Sequence, residues 1–318
     1  MSARLRPTLA IVYLGVAVLW GSTWMVVRIG LDALPPLLFA GVRMALAAAL
    51  LAPVALRGGH WREVLGPHRG RVAVVGLFQI ALPYGLLFLA QQWVPSSLSA
   101  VLFATFPIWV AIVARLWLPE ERLTPLRLLS VAVGIAGVVV LQAPHLSDLE
   151  ASGRLAAGSA LVVLASMVVA VANVVARRHL TAVSPLALTT GQTAVGGVLL
   201  LAASFALEFG RAPAAVTAPA VGALLYLAVF GTALTYLGLY WLIPRVSMAA
   251  IGALPLVDTT VAVLLGAAVL HEPVGWPMLA GGAMVLAAAG IAALPVRSAR
   301  PAQVPASAAA HDRPRAAA

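Results

Sequence analysis

From residue 8 onward the chain is a succession of apolar stretches about twenty residues long, parted by short segments rich in Arg, Pro, Gly and Glu. Two-residue alternation is absent from these stretches, so each reads as an α-helix and not as a strand. Ten of them can be placed, over residues 8–27, 36–56, 72–90, 98–118, 126–142, 156–176, 186–207, 220–242, 248–270 and 276–294. Runs of this length match a bilayer core ~30 Å thick, and in lipid only helices or closed barrels satisfy their own backbone. The pattern predicts an all-α polytopic membrane protein with ten transmembrane helices. Residues 297–318 are Ala, Pro, Ser and Arg with little bulk, and read as a disordered cytoplasmic tail.

Charge sets the expected orientation. The connections alternate in arginine content: sixteen arginines fall on one side, and Arg28, Arg154 and Arg211 alone on the other. Arg43 lies inside a span. By the positive-inside rule both termini are expected in the cytoplasm, and an odd number of spans would put the Arg-rich tail outside. The net charge of +10 therefore reads as membrane orientation, not as a nucleic-acid surface. Arg4 and Arg6 before an apolar run resemble a secretory signal, but the run is longer than a signal core and lacks an A-x-A cleavage pattern. It is expected to be a retained first span.

Composition removes several chemistries. There is no cysteine, which excludes disulfides, thiol catalysis and thiolate metal sites. Every one of the twenty basic residues is Arg, so a Walker A loop and a lysine Schiff base are excluded as well. Arg without Lys, beside abundant Ala, Gly, Leu and Val, points to a GC-rich bacterial genome and hence to the bacterial inner membrane.

The two halves of the chain resemble each other. A shift of 152 residues brings Ala81-Leu82-x-Tyr84 onto Ala233-Leu234-x-Tyr236, and Leu118-x-Glu120 onto Leu270-x-Glu272. A shift of 149 brings Arg28 onto Arg177, Pro36-Leu37 onto Pro185-Leu186, and Arg43 onto Gln192. The expected organisation is a five-helix repeat over residues 1–142, an extracytoplasmic linker over 143–155, and a second five-helix repeat over 156–296. An odd number of spans per repeat inverts the second against the first. Inverted repeats mark secondary transporters, with the substrate near the midplane where the repeats meet.

Several motifs carry a resemblance to a known family. "LWGSTW", from Leu19, is similar to the N-terminal signature of the EamA family in the drug/metabolite transporter superfamily. "FPIWVAIVARLWLPEERLT", from Phe106, resembles that family's span entered at a Pro and left at a Gly-Glu-Arg-Leu-Thr-type turn. "GIAGVVVL", from Gly134, resembles the glycine-bearing helix that closes each repeat; "VAVLLGAAVLHEP" from Val261 and "AAAGIAAL" from Ala287 are the second-half counterparts. The resemblance implies a ten-helix carrier of two inverted repeats that moves small metabolites, often by export. The chain departs from the family pattern at Thr259, where a proline is expected after Asp258, and at Pro119 and His271, where glycine is expected.

Candidate chemistry centres on Asp258, the one acidic residue deep in a span, ~15 Å along its helix from Met248. Burial of a carboxylate is unfavourable unless it is protonated, paired or wetted, so proton coupling is the favoured role and a structural ion pair with Arg43 the bland one. Arg43 could bind a substrate carboxylate or neutralise Asp258, while the family resemblance, in which such an Arg recurs in the second span, implies a shared structural role; the functional and structural readings stand level. Trp20, Thr23, Trp24, Gln79, Tyr84, Asn173 and Tyr236 complete the expected substrate-binding set, with Trp24 facing Asn173 across the pseudo-axis. Asn173 and Gln192 also fit plain interhelical hydrogen bonding. Gln91, Gln92, Tyr240 and Trp241 read as interfacial anchors, and so do Arg28, Arg177 and His271.

Glu120, Glu121 and Glu272 read as helix-start caps in contact with water. Gly134, Gly137, Gly281 and Gly282 are expected to permit close helix packing, within the monomer or in a homodimer. Pro83, Pro107 and Pro255 are expected to interrupt the backbone ladder.

The leading function is a secondary active transporter, not an enzyme. It would export an amino acid, a related compound or a drug by alternating access, with proton counter-transport through Asp258. The alternatives are an intramembrane enzyme and a membrane receptor or scaffold. A membrane aspartyl protease needs a second intramembrane Asp, and a metalloenzyme needs clustered His; neither is present, so no metal and no cofactor is expected. The partners expected are a small-molecule substrate and the lipid bilayer, with no nucleic acid.

Overall fold

The computed structural model describes residues 5–31, 33–94, 99, 102–121, 124–146, 153–210, 217–270 and 275–293. Within them the chain is helical, with no strand. The elements in order are α1 (Leu5–Leu31), α2 (Pro36–Arg57), the short α3 (Trp61–Leu65), α4 (Arg69–Ala90), α5 (Phe106–Trp117) and α6 (Pro125–Leu146). They continue with α7 (Gly153–His179), α8 (Pro185–Leu207), α9 (Ala218–Leu242), α10 (Met248–Leu270) and α11 (Trp276–Ala293). Five of these, α2, α4, α7, α8 and α9, are long and apolar enough to cross a membrane. The chain is a multi-pass, all-helical membrane protein. The ends of α6 and α7 run into the expected 143–155 linker, while its middle, the 297–318 tail, His271 and Glu272 lie outside the described residues.

Prolines open several helices, since the first turn needs no N–H: α2, α5, α8 and α9 each carry one there. Pro107 also explains why the expected span 98–118 is not one helix in its described part. Its ring excludes the carbonyl four residues back, and Ala104 and Thr105 form a turn before α5 starts at Phe106. Pro255, by contrast, sits inside α10 without ending it.

Two features were not foreseen. α4 and α9 each contain a wider π-helical segment, Gly76–Ala81 and Val229–Leu234, whose backbone ladder is locally re-registered. The first precedes Pro83; the second has Thr235 at the position that the 152-residue shift relates to Pro83.

The most extensive packing joins the two halves: α6 with α11, α2 with α8, α1 with α9 and α10, α4 with α8, and α7 with both α4 and α5. Small residues permit it. A Cβ on Gly137 of α6 would meet the Gly281 carbonyl oxygen of α11 at 2.9 Å, and one on Gly196 of α8 would meet Ile80 Cβ of α4 at 2.4 Å. Gly134 likewise faces Leu256 and Ala288, so both α6 glycines pack within the chain.

Helix starts are tied to the opposite half by carboxylates. Glu208, just past α8, accepts the Leu37 N–H at 2.9 Å and the Leu38 N–H at 3.0 Å, capping α2. Glu63 of α3 accepts the Ser184 N–H at 2.6 Å, at the start of α8. The anion thus meets the positive end of a helix in both places. Glu121 is no water-facing cap. It is buried, pairs with Arg127 at 2.8 Å and accepts the Met248 N–H of α10 at 3.0 Å.

Candidate functional site

The first helix approaches α10 unusually closely, because Gly21 has no side chain. A Cβ there would lie 2.7 Å from the Asp258 carbonyl oxygen. One residue on, the Ser22 hydroxyl meets the Tyr226 hydroxyl of α9 at 2.7 Å. The Thr23 hydroxyl turns back onto the Trp20 carbonyl at 2.7 Å and leaves its methyl against Gly231. Each small or hydroxylated residue of "LWGSTW" therefore serves to dock α1 on the second half.

That docking leaves a cavity of about 160 Å³ between the halves. Trp20, Thr23, Arg43, Gln79 and Tyr84 come to it from the first half; Asn173, Tyr236 and Asp258 come from the second. Eight of the nine expected site residues thus surround one space. The ninth is Trp24, whose side chain lies outside the described residues. The cavity floor is apolar, made by Leu239, Ile251 and Leu254, each about 1% exposed. Toward the other end the half-buried Val27 and Gln91 line the wall. Phe88, Phe103 and Phe106 add aromatic surface that the sequence pattern does not single out. Such phenylalanines are indistinguishable from lipid-facing ones without the helix orientations.

The hydrogen bonds of Arg43 fit the structural reading of this residue. Its Nε donates to Thr232 Oγ1 at 2.8 Å and its Nη2 to the Gly231 carbonyl at 2.8 Å. Both partners belong to the π-helical segment of α9, where re-registered bonding leaves carbonyls in need of donors. The guanidinium also lies 5.5 Å from the centre of the Tyr84 ring, a cation–π contact. Arg43 is 3% exposed and still borders the cavity.

Asp258 is 7% exposed and faces the same space, with the Thr259 hydroxyl 3.4 Å from its Oδ1. The Trp20 and Tyr236 rings meet edge to face at 5.7 Å. Gln79 Oε1 and Asn173 Oδ1 are buried acceptors without a protein partner, both on residues that border the cavity. Among the described residues no group of three or more His, Asp or Glu stands close enough to hold a metal ion.

Tyr240 is not an interfacial anchor. It is 5% exposed, its ring stacks on Tyr236 at 6.2 Å, and its hydroxyl donates to Gln192 Oε1 on α8. Gln192 accordingly stands away from the cavity, in an interhelical bond. Trp241 and Arg245 keep a cation–π contact at 4.3 Å near the end of α9. Arg177 donates to the Ile243 and Val246 carbonyls, closing the C-terminus of that helix.

The comparisons with known proteins agree with this arrangement. Residues 8–142 and 156–294 each match the model of the EamA-like transporter family. The chain is 34% identical over 254 residues to the uncharacterized inner membrane transporter YedA of Escherichia coli (strain K12), covering 78% of each. It is 27% identical over 279 residues to the uncharacterized transporter YvbV of Bacillus subtilis (strain 168), covering 87% of this chain and 88% of that one. An uncharacterized transporter of Archaeoglobus fulgidus is 24% identical over 269 residues, 84% of this chain and 92% of its own. A protein crystal structure 18% identical in sequence superposes with a TM-score of 0.76 over 90% of this chain and 96% of that one, and shares the fold. With one family model matching both halves, and a cavity walled by residues of each, this membrane protein belongs to the EamA-like transporter family.

Proposed function

We propose that the chain is a secondary carrier of the bacterial inner membrane that exports a small metabolite, an amino acid or related compound or a drug, by alternating access. Its two five-helix units, residues 1–142 and 156–296, are inverted with respect to each other and joined by 143–155, with both termini in the cytoplasm. The observation that carries this reading is the cavity itself: a buried carboxylate, two buried amides and a ring of aromatics meet between the two matched halves. The π-helical segments in α4 and α9, which the 152-residue shift brings to within one residue of each other, support the internal repeat.

Asp258 is the proton-coupling residue. Its carboxylate is largely removed from water and borders the space a substrate would occupy, so protonation and substrate binding influence one another electrostatically. The substrate is held by Asn173 and Gln79, whose free oxygens accept hydrogen bonds, and by the faces of Trp20, Tyr84 and Tyr236. Trp24 remains a candidate contact on the same helix.

The test is transport in proteoliposomes, with substrates first screened by resistance of overproducing cells to toxic amino acids and cationic drugs. Asp258→Asn is expected to abolish pH-gradient-driven transport while substrate exchange persists. Gradient-driven transport at the parent rate in that variant would remove proton coupling through Asp258.

A further inference from the structure

A second cavity, of about 290 Å³, lies beyond the floor of the first. Both are bordered by the same two helices in the same running order. On α7, Val169 and Asn173 face the first cavity and Ala176 faces the second; on α9, Tyr236 and Leu239 face the first and Tyr240, Trp241 and Ile243 the second. Two helices crossing the bilayer thus pass from one cavity to the other within a turn. The second cavity has a polar outer wall, with Glu63 and Ser184, and lies at the helix ends that carry Arg177, Arg178 and Arg245.

Between the two stands one buried polar contact. Tyr240 is 5% exposed and Gln192 is fully buried, and the Tyr240 hydroxyl donates to Gln192 Oε1, joining α9 to α8. The Tyr240 ring is stacked on Tyr236, a wall residue of the first cavity, 6.2 Å away. The Gln192 Nε2 group has no protein partner. A half-satisfied buried amide is held less firmly than a fully bonded one, which suits a contact that must break and re-form.

We propose that the two cavities are successive chambers of one translocation route, and that the Tyr240–Gln192 contact is the latch that closes the route toward the arginine-rich face. This rests on the carrier reading. When the latch opens, α9 parts from α8 at Tyr240, and the polar second chamber admits solute to Asn173 and Asp258. The second chamber is then the loading vestibule of an exporter, and Tyr240 and Gln192 are positioning residues, not substrate ligands.

The chain has no cysteine, so single cysteines report accessibility without further editing. Val169→Cys samples the first cavity and Ala182→Cys, exposed on the wall of the second, samples the vestibule. A maleimide that does not cross the bilayer is applied to inside-out and right-side-out vesicles. Ala182→Cys is expected to react readily from the arginine-rich face whatever residue stands at 240. Val169→Cys is expected to react slowly from that face, and Tyr240→Phe to raise its rate roughly three- to ten-fold, the population shift set by one buried hydrogen bond.

Gln192→Leu is the second variant, should Tyr240→Phe fail to fold, and is expected to act in the same direction. Unchanged Val169→Cys rates in folded Tyr240→Phe and Gln192→Leu protein would overturn the latch. So would equal increases from both faces, which mean general loosening. Labelling needs no substrate, so a protein that carries out no transport would remove the carrier reading without altering this outcome.

Discussion

Arg43 is the residue that the sequence leaves balanced between a functional and a structural role. A buried guanidinium in a span is read first as a ligand for a substrate anion or as a counter-ion. Here its hydrogen bonds go to Thr232 and to the Gly231 carbonyl, so it fastens α2 to the π-helical segment of α9. Arg43→Lys keeps the charge, but a lysine lacks the planar fork that reaches both acceptors and rests on Tyr84. The variant is expected to lose roughly 1.5–3 kcal/mol of stability, the range for hydrogen bonds to charged groups, read as a lower thermal midpoint in detergent. An unchanged midpoint combined with weakened substrate binding would return Arg43 to the role of substrate ligand. Gly21 makes the complementary point, because its importance lies in the missing side chain. Gly21→Ala places a methyl 2.7 Å from the Asp258 carbonyl and is expected to destabilise by about 1–3 kcal/mol, as overpacking generally does.

At the scale of elements, the helix ends are the informative places. α2 and α8 pack along each other, and each start is capped by a carboxylate that follows the end of the other helix: Glu208 on α2, Glu63 on α8. The pair is held at both ends, with the two caps about a helix length apart. Glu63 lies below the usual carboxylate value of 4.5: partial burial pushes it up, but the Ser184 N–H and hydroxyl and the neighbouring His60 favour the anion and win. A lowered folded-state pKa means the contribution is present above the unfolded pKa and lost as pH falls through the folded value. Glu63→Gln is therefore expected to lower the thermal midpoint at neutral pH, with the gap to the parent narrowing as pH falls below the ordinary carboxylate value and through the lowered one. A gap independent of pH would assign Glu63 a purely steric role. Neither cap was legible in advance, since both carboxylates sit more than a hundred residues from the helix they close.

For the molecule as a whole, the arginine distribution makes the testable statement. A fluorescent protein fused after residue 318 is expected to fold and fluoresce, and a periplasm-dependent phosphatase fused there to remain inactive. The reverse pattern would invert the proposed orientation, and with it the assignment of the second cavity to the cytoplasmic side. The same alternation of charge cannot report which helices touch. The long-range packing of α6 on α11 and α1 on α10 depends on close-approach surfaces such as Gly137 and Gly21, spread through helices that are apolar on every face.

Membrane solvation explains the division between what was readable and what was not. The bilayer imposes a run of about twenty apolar residues on each span, so the helical class and the apolar stretches are written locally. Polar residues in such a background are unfavourable enough to stand out, which is why Arg43, Gln79, Asn173 and Asp258 were legible as candidates. Their partners were not. Lipid and protein interior are equally apolar, so a spanning helix carries no polar stripe to say which face turns inward. Tyr240 was therefore indistinguishable from an interfacial anchor, and Phe88 from a lipid-facing ring. Which groups share a cavity, which donor meets the π-helical carbonyl, and which tyrosine bonds Gln192 are contacts between distant segments, and only the tertiary structure decided them.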